Sequence, residues 1–360
     1  MPFASYLLLR VFLTTSLAFF LAACGKEPFY QEQGYVFGTL VEVSVYGADE
    51  ALAKQGISEV MREFQRLHDL LHAWQPSELS HLNTAISQGK KKTVSPEIAA
   101  MLQDAAQLSA LSNGLFNPAI GGLIQTWGFQ ADDFKVVLPD EKRIAELVKV
   151  NPQMGDLFFS SACSPSPGGR GEHCISSRNR AVKLDLGGYA KGYALDRAVA
   201  ILKQKGIHHA LINIGGNVLA LGRHGKRSWR IGIQHPRKSG ALATMELHDG
   251  EAVGTSGDYQ RYFELDGKRY CHLIDPRDGQ PVQGVQAVTI ITHGPRAGLL
   301  SDGSSKPLFI SGLSGWRVAA KNMRLEEALL IDSNGVVHLT AAMQKRLEFT
   351  DSKTLPRLDP

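Results

Sequence analysis

The sequence is short of several things, and each shortage excludes a class of protein. Its 360 residues contain four cysteines, and the Cys and His spacing never reaches the pattern of a structural zinc site, which excludes a zinc module. A chain of this length buries a generous core without disulfide staples, so stability makes no demand on those cysteines. Charge of one sign is scarce too: 39 Lys and Arg against 35 Asp and Glu leave a net +4. With no basic tract carrying interleaved aromatics, this balance excludes nucleic acid as the expected partner. Beyond the N-terminus no stretch is apolar enough to span a bilayer, and no internal repeat marks a solenoid.

What the N-terminus does have is the pattern of an export signal. Arg10 precedes an apolar run over residues 11–20, the length of a secretory core segment and too short for a membrane span. The run ends in Leu21-Ala22-Ala23-Cys24-Gly25. This resembles the lipobox of bacterial lipoproteins, in which Cys24 becomes the lipid-bearing first residue of the mature protein. The alternative is an ordinary signal peptide cut after a small residue, with Cys24 incidental. On the first reading, residues 1–23 are a signal peptide, 24–33 a lipidated tether, 34–350 the folded domain and 351–360 a tail. Disulfides persist after export, so Cys163 and Cys174, which bracket a polar loop, admit a local bridge that leaves Cys271 unpaired.

Hydrophobic periodicity orders the rest. Alternation predicts a strand over 34–46, and Ile57, Val60, Phe64, Leu67, Leu70 and Leu71 predict a helix over 51–74. A second helix is expected over 96–111, closed by Ser112-Asn113-Gly114. A helical piece bears Trp127-Gly128-Phe129, another covers 140–149, and residues 152–180 read as a Pro/Gly/Ser-rich insertion. A strand into Asp185 and a helix over 192–205 follow, then a series of strands between 210 and 292 and a hairpin at Asn334-Gly335. Strands and helices mix without a regular βαβ repeat, which predicts an α+β, or mixed α/β, fold.

The densest chemistry lies in Asp185-Leu186-Gly187-Gly188-Tyr189-Ala190-Lys191-Gly192, a strand-to-helix corner. Small residues let a ligand approach the backbone, N–H groups at a helix start favour anions, and Lys191 offers a point charge to a diphosphate. Alone, such a corner is more often only a turn. Gly254-Thr255-Ser256-Gly257 places hydroxyls at a strand end. His272 is the best general-base candidate because imidazole titrates near neutral pH; the other reading is a structural histidine beside the turn Asp275-Pro276-Arg277-Asp278-Gly279. Asp302, in Asp302-Gly303-Ser304-Ser305-Lys306, is either an oxygen ligand for a hard cation or a solvated loop aspartate.

Read together, Phe37-Gly38-Thr39, the segment from Trp74 to Asn83, residues 114–129, the corner at Asp185, Asn213-Ile214-Gly215-Gly216-Asn217, Thr255-Ser256-Gly257 and His272-Leu273-Ile274-Asp275-Pro276 share an order and spacing. They resemble the ApbE-like FAD:protein FMN transferases from about residue 34 to near the C-terminus. The resemblance implies mixed sheets flanked by helices, and an enzyme lipid-anchored at the periplasmic face of a bacterial membrane. With Mg²⁺ such an enzyme splits FAD and releases AMP. It attaches FMN through a phosphoester to a Thr or Ser of an acceptor flavoprotein subunit of a membrane redox complex (NqrC- or RnfG-like).

The same resemblance implies roles for particular residues. His272, Asp185 and Lys191 form the catalytic set, with His272 as base at the acceptor hydroxyl. Phe37, Trp74, Trp127, Gly128, Phe129, Thr255 and Leu273, together with Asp185 and Lys191, contact the flavin dinucleotide. The Gly188 carbonyl and Asp302 ligate the metal. Some positions depart from the family pattern. Phe37 replaces a usual methionine and Trp74 a usual tyrosine, both keeping a surface for a flat ring. Asn117 replaces a usual aspartate. Lys306 stands where a Thr or Ser hydroxyl usually helps hold the cation, and a protonated lysine has no lone pair to give. That departure sustains an alternative: an FAD-binding lipoprotein, or an FAD pyrophosphatase with weak or no transfer.

Overall fold

The computed structural model describes residues 28–131, 136–160, 173–351 and 356–358; the expected signal peptide, Cys24 and Cys163 lie outside them. The described chain opens with a hairpin of β1 (Phe29–Val36) and β2 (Thr39–Tyr46). Its turn residues Phe37 and Gly38 both have positive φ, 58° and 69°, the geometry that matches strand twist. The turn splits the single strand expected over 34–46, and β1 takes in residues 29–33, expected to be tether.

Helix α1 (Glu50–Leu71) is capped by Asp49, which accepts from Leu52 N at 3.0 Å, and it buries Ala53, Ile57, Val60, Phe64, Leu67 and Leu71 on one stripe. Helix α2 (Glu78–Ser87), absent from the periodicity, starts at a Ser77/Ser80 capping box. Strand β3 (Lys92–Val94) and helix α3 (Pro96–Leu111) follow, then α4 (Gly121–Thr126) and α5 (Glu141–Val150). Within the expected insertion, residues 152–160 and 173–180 are more regular than their composition implies. They contain β4 (Leu157–Ser160) and β5 (His173–Ser177), which pair with each other and with β3. Cys174 on β5 is disulfide-bonded, and Cys271 is a buried free thiol, its pKa pushed up to about 12 by burial.

Helix α6 (Ala190–Gln204) leads into β6 (Ala210–Ile214), β7 (Asn217–Leu221), β8 (Trp229–Gln234), β9 (Ala241–Leu247), β10 (Glu251–Gly257), β11 (Tyr262–Leu265), β12 (Lys268–Cys271) and β13 (Val285–His293). Helix α7 (Ala297–Asn322), β14 (Ala328–Asp332), β15 (Val337–Leu339), α8 (Ala341–Gln344), β16 (Glu348–Phe349) and β17 (Arg357–Leu358) complete the described chain. A nine-stranded sheet in the order β1-β2-β6-β7-β10-β13-β14-β15-β17 organises the fold. Its neighbours are antiparallel except the parallel β15/β17 pair.

Both faces of this sheet are covered. On β13, Val288 and Ile290 face the core beneath the helices, whereas Ala287 and Ile291 face a second core beneath the small β16-β9-β8 sheet. That double burial leaves every residue of β13 from Val285 to Thr292 buried. A third, aromatic core joins Trp127, Phe129 and Phe263 to Ile144, Leu147 and Ile274. No helix among the described residues is long and apolar enough to cross a membrane.

The largest departure from the sequence-based expectation is α7. It takes the Asp302–Lys306 segment out of a loop and into a buried helix, with non-helical dihedrals only at Gly312. Its Gly, Ser and Pro content gives weak intrinsic helix propensity, so packing against α6, β10 and β13 holds it.

Candidate functional site

The corner at Asp185 is set by backbone pairing with residues 118–120. Lys183 N donates to Ala119 O at 3.1 Å and Asp185 N to Pro118 O at 2.8 Å. Asn117 fixes that partner segment: its Oδ1 accepts from Ala119 N at 3.1 Å and its Nδ2 donates to Pro152 O at 2.9 Å. An aspartate could not make the second bond while ionised, which gives the departure at Asn117 a structural meaning.

Asp185 Oδ1 accepts from Gly187 N at 2.8 Å. Burial raises the Asp185 pKa, against the pull of that N–H, of the Arg261 and His72 charges and of a Trp74 side-chain hydrogen bond. Trp74 is half-buried, with Lys183 Nζ 4.5 Å from its ring centroid. Lys191 follows in the first turn of α6. Burial lowers its pKa, Asp302 opposes the shift, and Lys306 and Arg261 add to it.

Helices α6 and α7 touch at two glycines. A Cβ on Gly192 would lie 2.3 Å from Gly298 O, closer than packed atoms come, so the contact needs glycine. This approach lets Gly192 N donate to Asp302 Oδ2 at 3.0 Å. Asp302 is fully buried, and Lys306, one turn later, donates to its Oδ1 and, at 2.7 Å, to its backbone carbonyl. Burial pushes the Asp302 carboxyl up, but the Lys306 and Lys191 ammoniums and the hydrogen bonds outweigh it and hold the pKa below the usual range. Ser305 Oγ donates to Asp302 O at 3.0 Å and lies 2.8 Å from Ser256 Oγ. The Lys306 stem runs over Gly188, where a Cβ would lie 2.9 Å from Lys306 Cε.

His272 follows β12. Its backbone N donates to Arg261 O at 3.0 Å, and its Nδ1 lies 3.1 Å from the same oxygen. A carbonyl only accepts, so Nδ1 bears the proton and Nε2 keeps a lone pair. Burial, the Arg261 guanidinium, Lys191 and Lys306 push the imidazole pKa down to about 3 against the raising effect of the Arg261 carbonyl, so His272 is neutral at physiological pH. The structure thus brings Lys191 and Lys306 within electrostatic reach of both His272 and Asp302. It adds Arg261, which no motif flagged. Arg261 Nη2 donates to Phe129 O at 3.0 Å and Ala131 O at 3.2 Å, and its charge acts on Asp185, Lys191 and His272.

Other expected contacts fall elsewhere. Trp127 and Phe129 are only 4% and 2% exposed. Trp127 stacks on Tyr270 and donates from its indole N–H to Gly279 O at 2.7 Å, so both rings pack in the aromatic core. Gly128, with φ of 81°, has open space where a Cβ would stand. Strand alternation sets the direction of Thr255. Gly254 and Ser256 face Ser301 and Ser305 of α7, whereas the Thr255 hydroxyl meets Thr289 at 3.0 Å on the other side of the sheet. Leu273 is buried in the helical core, and Phe37 packs half-buried on Phe64 and His68. Surface concavities of about 710 Å³ near Pro76 and Pro96 and about 410 Å³ near Tyr270 and Ser311 include none of the converging charged residues.

Residues 37–330 match the model of the ApbE family. The chain belongs to the ApbE family. An FAD:protein FMN transferase of Rhodobacter capsulatus is 39% identical over 89% of this chain, which spans 59% of that relative's length. One from Klebsiella pneumoniae is 32% identical over 90% of this chain and 95% of the relative. The crystal structure of the ApbE protein of Thermotoga maritima superposes with a TM-score of 0.77 at 27% identity, covering 89% of this chain and 99% of the other. The apo form of the Pseudomonas stutzeri flavinyl transferase ApbE gives 0.73 at 26%, covering 90% and 98%. The mixed α/β architecture expected from the sequence is the ApbE fold.

Proposed function

We propose that this ApbE-family chain moves the FMN half of FAD onto a Thr or Ser hydroxyl of a protein acceptor and releases AMP. The observation that carries the reading is the convergence of Lys191, Lys306 and Arg261 on a neutral His272 whose Nδ1 is committed to a carbonyl. Its similarity to the FAD:protein FMN transferases of R. capsulatus and K. pneumoniae supports it.

The acceptor oxygen attacks the FMN phosphorus. A new P–O bond forms, the phosphoanhydride P–O bond breaks, and the bridging oxygen leaves with AMP. The hydroxyl proton goes to His272 Nε2. Phosphoryl transfer depends on positioning and charge neutralisation, which Lys191 and Arg261 supply at the non-bridging oxygens. Burial is the main cause of the low imidazole pKa, and a bound diphosphate offsets the cationic field that adds to it, so the base strengthens when substrate arrives. Trp74 and Phe37 offer half-buried rings for the flavin or adenine.

The chain is further proposed to act at the periplasmic face of a bacterial membrane, held by a lipid on Cys24, with a flavoprotein subunit of a membrane redox complex as acceptor. Incubation of the purified chain with FAD and a threonine-containing acceptor domain tests the reaction. AMP and a fluorescent acceptor in equal amounts are expected. AMP with free FMN and an unmodified acceptor supports the pyrophosphatase reading, and FAD retained without AMP supports a binding protein.

A further inference from the structure

The resemblance to the transferases implies Mg²⁺, and the residues present do not fit it. Mg²⁺ needs carboxylate or other oxygen lone pairs directed at one point. Here both oxygens of Asp302 are engaged, Oδ2 by Gly192 N–H and Oδ1 by the Lys306 ammonium. The Ser305 hydroxyl is committed to Asp302 O and Ser256. The Lys306 stem covers Gly188, and among the described residues no group of three or more His, Cys, Asp or Glu side chains is disposed to hold a metal.

The ammonium, by contrast, is built in. Asp302 and Lys306 stand one turn apart on α7, acid before base, the order that favours such a pair. The carboxylate is fully buried and the lysine side chain is 13% exposed. Removing either partner leaves an uncompensated charge in a low-dielectric setting. Within the site Lys191 and Lys306 face Asp302, and Arg261 faces Asp185. Three cations against two carboxylates leave an excess positive charge for an anionic ligand without a metal.

We propose that Lys306 is the resident cation of this site, so that the diphosphate of a flavin dinucleotide is bound and cleaved without a divalent metal. The inference rests on the flavin-dinucleotide reading above. In the cleavage step, Lys306 donates a hydrogen bond to a non-bridging oxygen while the bonds change as described for transfer, and it neither gains nor loses a proton overall.

The test uses the full chain in detergent, with FAD affinity measured by calorimetry in EDTA and in Mg²⁺, and AMP release measured in parallel. Wild-type affinity and AMP release are expected to change less than about twofold between the two conditions. Lys306→Thr is expected to lose roughly tenfold in affinity in EDTA and to recover in Mg²⁺, because the hydroxyl vacates Asp302 Oδ1 for a metal. Lys306→Arg keeps the charge and is expected to remain insensitive to EDTA, which separates charge from folding. Wild-type affinity that collapses in EDTA and returns with Mg²⁺ overturns the proposal. AMP release that needs Mg²⁺ overturns it too, and leaves the transferase reading standing. Chelator-insensitive FAD binding with no AMP under any condition overturns metal-free cleavage and the transferase reading together, as does FAD that never binds.

Discussion

Asn83 meets both backbone groups of Leu184: its Nδ2 donates to Leu184 O at 2.9 Å, and its Oδ1 accepts from Leu184 N at 2.6 Å. One side chain from α2 thus acts as the strand partner for the residue just before Asp185. Asn83→Ala leaves a buried N–H and a buried carbonyl unpaired. We expect a loss of roughly 2 to 5 kcal/mol of stability together with weaker FAD binding. Urea unfolding and FAD titration of the same variant check both.

The glycine contact between α6 and α7 gives a second prediction. Gly192→Ala drives a methyl against Gly298 O and the Asp302 Cβ, so the helices must part and the Gly192 N–H leaves Asp302. The expected cost is about 1 to 3 kcal/mol, read as a lowered melting temperature. FAD affinity should fall with it.

The two tryptophans expected to wall the site should separate in their effects. Trp127→Ala empties a buried aromatic core and removes the donor to Gly279 O, so it should cost about 3 to 5 kcal/mol. Trp74→Ala removes a half-buried ring beside Asp185. It should cost about 1 kcal/mol of stability and up to roughly tenfold in FAD affinity. Thermal unfolding and FAD titration on both variants distinguish core from site.

His272 makes a pH prediction whose sign follows from its depressed pKa of about 3. The unfolded chain takes up a proton near the ordinary histidine value of about 6.5, whereas the folded chain resists it. The stability this residue confers is therefore present above that value and declines as pH falls toward 3. In the ligand-free protein, the His272 ring resonances should not titrate between pH 8 and 5. His272→Gln should flatten the acid side of the stability curve over the same window.

What could be read from the sequence follows the physics of each element. Helices α1, α3, α5 and α6 carry apolar stripes or clear end signals, and the Asp185 corner and His272 sit in recognisable motifs. Helix α7 was hidden because its functional half is buried on nearly every side through Gly, Ser and Ala contacts, so no polar face marks its period. Thr255 and Ser256 differ only in which face of β10 they occupy, which depends on register that the local sequence does not specify. Arg261 lay outside every motif because it reaches the site only through the β11–β12 hairpin, whose folding brings its carbonyl to His272.

On the proposed function, Lys191, Lys306 and Arg261 together grip a flavin dinucleotide at its diphosphate while His272 faces the acceptor side. A crystal structure of the chain with FAD tests it most directly. Both phosphates are expected within hydrogen-bond distance of those three cationic side chains, with His272 Nε2 directed at the FMN phosphate. A dinucleotide seated away from Lys191 and Lys306, or a diphosphate turned from His272, contradicts it.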